Sequence, residues 1–309
     1  MRVWLTLRRL LIVFILLVVG LSVLALAVVA GTYLVLNDTN GEINSSGMLR
    51  KYLVYVPESY DPARPAPLVI SIHGFAEWPA HQMETSHWNE VAEENGFIVV
   101  YPSGTQIPLR WNAYNLQDFR VDTRAEVQFI ADLIDKLSGD YNIDTTRVYA
   151  NGLSNGAGMA VLLSCQLSDK IAAIGSVSGA YLLPWDQCVQ SRPVPIIAFH
   201  GTEDPIVPYH GGEIMGSGYF YPDIPLWINN WVQRNDCDPD PVALPSQGEV
   251  SGVQYTGCKQ NADVVFYTVH GGGHAWPGGI KLPEMIVGHT TRDIDATRVM
   301  WEFFTSHAL

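Results

Sequence analysis

Two periods organise the apolar positions of this chain. The runs PLVISIHG (67–74), FIVVYPSG (97–104), RVYANGLS (147–154), IAAIGSVSG (171–179), VPIIAFHG (194–201) and ADVVFYTVHGG (262–272) are short, apolar and close on turn formers. KYLVYVP (51–57) alternates as a half-buried strand does. Between them, RAEVQFIADLIDKL (124–137), GAGMAVLLSCQL (156–167), PLWINNWVQRN (225–235) and ATRVMWEFFTSHAL (296–309) carry apolar residues at helical spacing. Continuous apolar strands alternating with helices predict a mostly parallel central sheet covered by helices on both faces. No repeat or low-complexity tract interrupts residues 50–309, which therefore read as one α/β domain.

The N-terminus has a different pattern. Arg2, Arg8 and Arg9 precede an uncharged stretch from Leu10 to Leu36, 27 residues long. A bilayer-spanning helix needs about 20, and the apolar core of a signal peptide only about 7–15. Positive charge on the N-terminal side predicts that this end stays cytoplasmic and the remainder is exported. Residues 1–36 are thus expected to form a hydrophobic helix, either a membrane anchor or a cleaved signal peptide. Residues 37–49, polar and rich in turn formers, are expected to be a tether. Asn37-Asp38-Thr39 and Asn44-Ser45-Ser46 match the glycosylation acceptor pattern.

Composition narrows the partners. A net charge of −13 over 309 residues offers no basic face for phosphates, so nucleic acid is excluded as a partner. Four cysteines, Cys165, Cys188, Cys237 and Cys258, suit an exported protein. Three pairings are possible. Cys165–Cys188 with Cys237–Cys258 is favoured because each pair closes a short local loop.

Candidate chemistry gathers where ligands bind in parallel sheets, beyond the carboxyl ends of the strands. Ser154, in GLSNG, ends a strand and precedes a helix. Gly152 and Gly156 lack side chains, so strand and helix can approach closely around a strained serine turn. Asp204 lies just past the strand ending FHG, and His274 lies in HGGGHAWPGG after another. A serine hydroxyl is a poor nucleophile until a base takes its proton, and imidazole titrates near neutrality. His274 is the expected base and Asp204 the carboxylate that orients it, with Glu203 the alternative acid and His270 the competing imidazole. The backbone N–H groups of Phe75, after the His73-Gly74 corner, and of Asn155, after the serine, are the expected oxyanion donors. His73 reads as an ordering residue, and His81, His87, His210 and His289 as surface or loop residues. Three glycines between His270 and His274 argue against a helical zinc site, so no metal is expected.

GLSNGAGM, HGTEDPIVPY, GGGHAWPGG, the corner at 73–74, and YPSG followed by RWNA (110–113) together resemble secreted esterases of the polyhydroxybutyrate depolymerase-like and feruloyl esterase-like group. The similarity runs from about Lys51 to the C-terminus. It implies an α/β-hydrolase fold and a serine carboxylesterase that needs no cofactor. Its triad would be Ser154, Asp204 and His274, acting on feruloyl or other aryl esters or on short hydroxyacyl esters. Trp111 and Trp276 inherit a place near the acyl pocket. FAEWPA, after the corner, departs from the family pattern. The other readings are a serine peptidase on the same fold and a catalytically inactive binding protein.

Overall fold

The computed structural model describes residues 2–36, 38–114, 123–214 and 217–309. It divides into two compact units, Met1–Thr39 and Asn40–Leu309. The first is one long helix, α1 (Arg2–Leu36). Its described side chains run without a gap only over Val13–Val28, all exposed. Among the described residues no helix is long and apolar enough to cross a membrane. The expected membrane anchor therefore gains no support from the described residues. Asn37 lies outside the described residues.

In the second unit the elements follow as β1 (Gly41–Ser45), β2 (Met48–Tyr55), β3 (Ala66–Ile72), α2 (Pro79–Ser86), α3 (Trp88–Asn95), β4 (Ile98–Pro102), α4 (Thr123–Asp140), β5 (Ile143–Leu153), α5 (Asn155–Gln166), β6 (Ala173–Val177) and β7 (Ile196–Gly201). Then come β8 (Gly212–Glu213), β9 (Phe220–Tyr221), α6 (Ile224–Arg234), β10 (Val242–Gln247), β11 (Val250–Tyr255), β12 (Val264–Val269), α7 (Glu284–Val287) and α8 (Ala296–Thr305). Ten strands form one sheet in the order β1-β2-β4-β3-β5-β6-β7-β12-β11-β10. From β4 to β12 neighbours run parallel, and both flanks are antiparallel. β8 and β9 form a separate small hairpin.

Burial on both faces explains why the central strands read as continuous apolar runs. Leu68, Ile70 and Ile72 of β3 enter one core with Val148, Ala150, Ile196 and Ala198, under α4, α5 and α6. Val69, Val99, Tyr149, Ile197 and Phe199 point the other way, into a second core with Met300 and Phe304 of α8. Alternate residues of a strand face opposite sides of its sheet, so one sequence run serves two cores. Asp223 and Asp295 cap α6 and α8, each accepting backbone N–H bonds from the first turn.

The expected tether at 37–49 is strand over Gly41–Ser45 and again from Met48. β1 pairs with β2, Ile43 packs against the first core and Ser45 is buried. Its polar residues fit an edge strand, where Glu42 and Asn44 face solvent. The disulfides are Cys165–Cys188 and Cys237–Cys258. The first ties the end of α5 to the loop after β6, and the second ties the loop after α6 to the turn after β11.

Candidate active site

The strand order reverses direction between β3 and β5, because the chain builds outward to β4 on one side and to β6, β7 and β12 on the other. Crevices of open parallel sheets form at such a point. Here the turn after β5 presents Ser154 and the turn after β3 presents the His73-Gly74-Phe75 corner.

Ser154 has φ 56° and ψ −117°, in the left-handed half of backbone space that a side-chain-bearing residue rarely enters. The turn is held from both sides: Ser154 N–H donates to Val177 O at 2.9 Å, and Ser154 O accepts from Gly158 and Ala180 N–H, each at 3.0 Å. The two flanking glycines are sterically required. A Cβ on Gly152 would lie 2.4 Å from the backbone of Gly156, and one on Gly156 would lie 2.1 Å from Ile72 O. Strand β5, helix α5 and the end of β3 therefore meet without side chains between them, and the hydroxyl is left partly exposed at the rim.

Asp204 and His274 are brought together from the ends of β7 and β12. His274 Nδ1 lies 2.7 Å from Asp204 Oδ2, and both side chains are buried. The other carboxylate oxygen accepts N–H bonds from Ile206 and Val207, both at 2.8 Å. With Asp204 fixed as an acceptor, the ring donates to it through Nδ1–H. The His274 backbone N–H bonds Val287 O at the end of α7. No hydrogen bond joins Ser154 Oγ to His274 among the described residues; in unliganded hydrolytic sites this contact commonly tightens only around substrate. Glu203 is exposed, and His270 is exposed and bonded to Ser251 Oγ at 2.7 Å. Neither joins the Asp204–His274 pair.

The corner after β3 is ordered by a buried neutral histidine. His73 donates from Nδ1 to Gly74 O at 2.7 Å and accepts the Gly104 N–H at Nε2, 2.9 Å away. Burial pushes its pKa down to about 4. The Gly74 carbonyl held by His73 belongs to the peptide whose N–H is that of Phe75, and in a trans peptide the two point oppositely. The Phe75 N–H makes no hydrogen bond among the described residues. The Asn155 N–H opens α5, where first-turn donors lack helical partners. The Asn155 side chain is engaged elsewhere: Oδ1 accepts Trp111 N–H at 2.7 Å and Nδ2 donates to Trp111 O at 3.0 Å.

Trp111 and Trp276, expected near an acyl pocket, are both 1% exposed. Their indole N–H groups are spent on His73 O at 3.1 Å and Thr297 Oγ1 at 2.9 Å. Both are thus packed within the core, with no open face, at the positions to which the resemblance gave a place near the acyl pocket. Buried aromatics and binding aromatics share one letter in a sequence, and only packing separates them.

Three further groups escaped the sequence reading. His200 lies in the core with Nε2 2.9 Å from Val207 O and 3.4 Å from Asp204 Oδ2, its pKa lowered by burial. Glu126 accepts from Arg50 at 2.7 Å and from Asn112 at 2.9 Å, pinning the RWNA loop. A signal for it existed: Glu126 shares a helical face with Phe129 and Ile130, so its carboxylate had to be buried and paired. The third, Glu77, accepts the Gly74 N–H at 2.7 Å.

An α/β sheet with a serine elbow at its switch point and an Asp–His pair beyond later strands defines the α/β-hydrolase class. Residues 50–192 match the family described as Esterase PHB depolymerase. The chain is 34% identical over 178 residues to the bifunctional acetylxylan esterase/xylanase XynS20E of Neocallimastix patriciarum, covering 58% of this chain and 24% of that protein. It is 29% identical over 232 residues to feruloyl esterase B of Piromyces equi, covering 73% of this chain and 42% of that one. The chain thus spans less than half the length of either relative. An acetyl xylan esterase from Aspergillus awamori shares the fold, with a TM-score of 0.59, 15% identity, and 86% of this chain and 98% of that one covered.

Proposed function

We propose that the protein is an exported serine carboxylesterase. The observation that carries the reading is the 2.7 Å contact between Asp204 and His274 on the same sheet edge as a strained, partly exposed Ser154. Ser154 Oγ attacks the ester carbonyl while His274 Nε2 takes its proton. The carbonyl electrons move onto oxygen, where the N–H groups of Phe75 and Asn155 stabilise the charge. Collapse expels the alcohol, which receives the proton from His274, and leaves an acyl-enzyme on Ser154. Water deprotonated by His274 then attacks the acyl carbon, and the acid departs as the proton returns to Ser154. Asp204 stabilises the imidazolium that forms in both halves.

The relatives' names, feruloyl esterase and acetylxylan esterase, favour small ester substrates, with aryl acids or short acyl groups as the acyl part. Export is supported by two disulfides, which persist in oxidising compartments. The test is Ser154→Ala assayed on a short-chain nitrophenyl ester, with fluorophosphonate labelling of the wild type. Turnover should fall by at least about 10⁴-fold without loss of the folded state. Undiminished turnover, or a wild type whose Ser154 fails to label, overturns the reading.

A further inference from the structure

The turn between β3 and α2 carries a carboxyl group that the reaction sequence above does not use. Glu77 is largely buried, its side chain 18% exposed, and Oε2 accepts the Gly74 N–H at 2.7 Å. Gly74 is consequently held at both ends: Glu77 takes its N–H, and His73 Nδ1–H binds its carbonyl at 2.7 Å. The first bond fixes the His73–Gly74 peptide and the second the Gly74–Phe75 peptide, whose N–H is that of Phe75, so together they set the conformation of Gly74. The space is tight, since a Cβ on Gly74 would lie 2.8 Å from Glu77 Oε2. Oε1 faces His81 Nδ1 at 3.6 Å, and the His81 ring leans on Trp78 with centroids 5.2 Å apart.

We propose that Glu77 is a positioning residue of the esterase site, holding Gly74 by its N–H so that the next peptide along presents the Phe75 N–H to the oxyanion. The inference rests on the serine esterase reading. Two groups face this carboxyl, the Gly74 N–H and His81 from α2. Burial raises the Glu77 pKa, while His81 and the Gly74 N–H act to lower it.

Two variants test the role. Glu77→Leu removes the acceptor, whereas Glu77→Gln keeps an acceptor oxygen for the Gly74 N–H. With a nitrophenyl ester, Glu77→Leu should lower kcat about tenfold or more with KM within about twofold, as expected when an interaction made only in the transition state is lost. Glu77→Gln should recover most of that kcat. Equal loss of kcat in both variants, or an undiminished kcat in Glu77→Leu, overturns the proposal. Should the Leu variant fail to fold, Glu77→Ala takes its place as the variant without an acceptor, under the same two outcomes. A wild type that turns over no ester overturns this inference together with the esterase reading; wild-type turnover with undiminished kcat in the variant without an acceptor overturns this inference only.

Discussion

Around Ser154 the chain is held by backbone against backbone, whereas around His274 it is held by hydrogen bonds to ionisable groups. At the elbow, Gly152, Gly156 and Ile72 O leave no room for a single methyl group, and no charged side chain takes part. At the acid–base corner, Asp204 is fixed by two backbone N–H groups and by the His274 ring, with His200 packed alongside. The difference has a physical basis. A nucleophile needs position, which steric closure supplies regardless of pH. A base needs a defined proton, which only a paired carboxylate and a fixed tautomer supply. The two corners should accordingly fail in different ways when perturbed.

The largest effect is expected from Asp204→Asn. The amide no longer selects the tautomer that leaves Nε2 unprotonated, so kcat should fall by about 10⁴-fold. The fold should persist, because the Asn Oδ1 can still accept from Ile206 and Val207. A near-normal kcat in this variant would mean that another carboxylate orients His274. Gly156→Ala attacks the other corner by sterics alone. Its methyl group would sit 2.1 Å from Ile72 O and 2.5 Å from His73 O, both backbone atoms that cannot swing aside. A loss of about 3 kcal/mol or more in stability should accompany loss of activity, read by urea unfolding and turnover together. A stable but inactive Gly156→Ala protein would show that the elbow relaxes, and that its strain serves placement of the hydroxyl rather than packing.

The contrast also explains what the sequence disclosed. Steric requirements leave glycines at rigid spacings, so G-L-S-N-G and the apolar strands on either side of it were readable, as was the sheet whose two-sided burial makes those strands continuous. The proposed acid and base, Asp204 and His274, could be picked out because each follows a strand, in the order Ser, Asp, His. Hydrogen-bond partners far apart in the chain were not. Glu77 looks like any polar residue of a turn until the Gly74 N–H is seen to point at it, and His81, expected at the surface, proves to be the group it faces. β1 was hidden for the converse reason: an edge strand with polar outward residues resembles a tether. β10, on the other flank, is short and largely exposed and its neighbour β11 only partly buried, so both lack the apolar run that marked the central strands.

Acid should distinguish the corners next. His73, with a pKa near 4 in the fold, binds no proton between about pH 6.5 and 4, while the unfolded chain does. Stability contributed by the neutral ring is therefore complete above the unfolded value, is lost as pH falls through this window, and levels off below about pH 4. A shift of this size corresponds to roughly 3 kcal/mol. His200, also lowered by burial, acts in the same direction. Urea unfolding at pH 7, 5.5 and 4.5 should show the decline, and His73→Gln should flatten it. A slope unchanged by that substitution would place the acid sensitivity elsewhere.

The smallest effect tests whether the elbow depends on side chains at all. Asn155 touches the site twice, through a backbone N–H at the start of α5 and through an amide that clasps both backbone groups of Trp111. In Asn155→Ala the backbone donor survives while the buried Trp111 N–H and carbonyl lose their partners. Unsatisfied buried groups cost about 1–3 kcal/mol, so the melting temperature should drop by several degrees. Turnover at a temperature where the variant is folded should fall less than tenfold, because the proposed oxyanion donor belongs to the main chain. The opposite pattern, an unchanged melting temperature with collapsed kcat, would transfer the donor role to the amide. Steric closure would then no longer suffice to describe the nucleophile's side of the site.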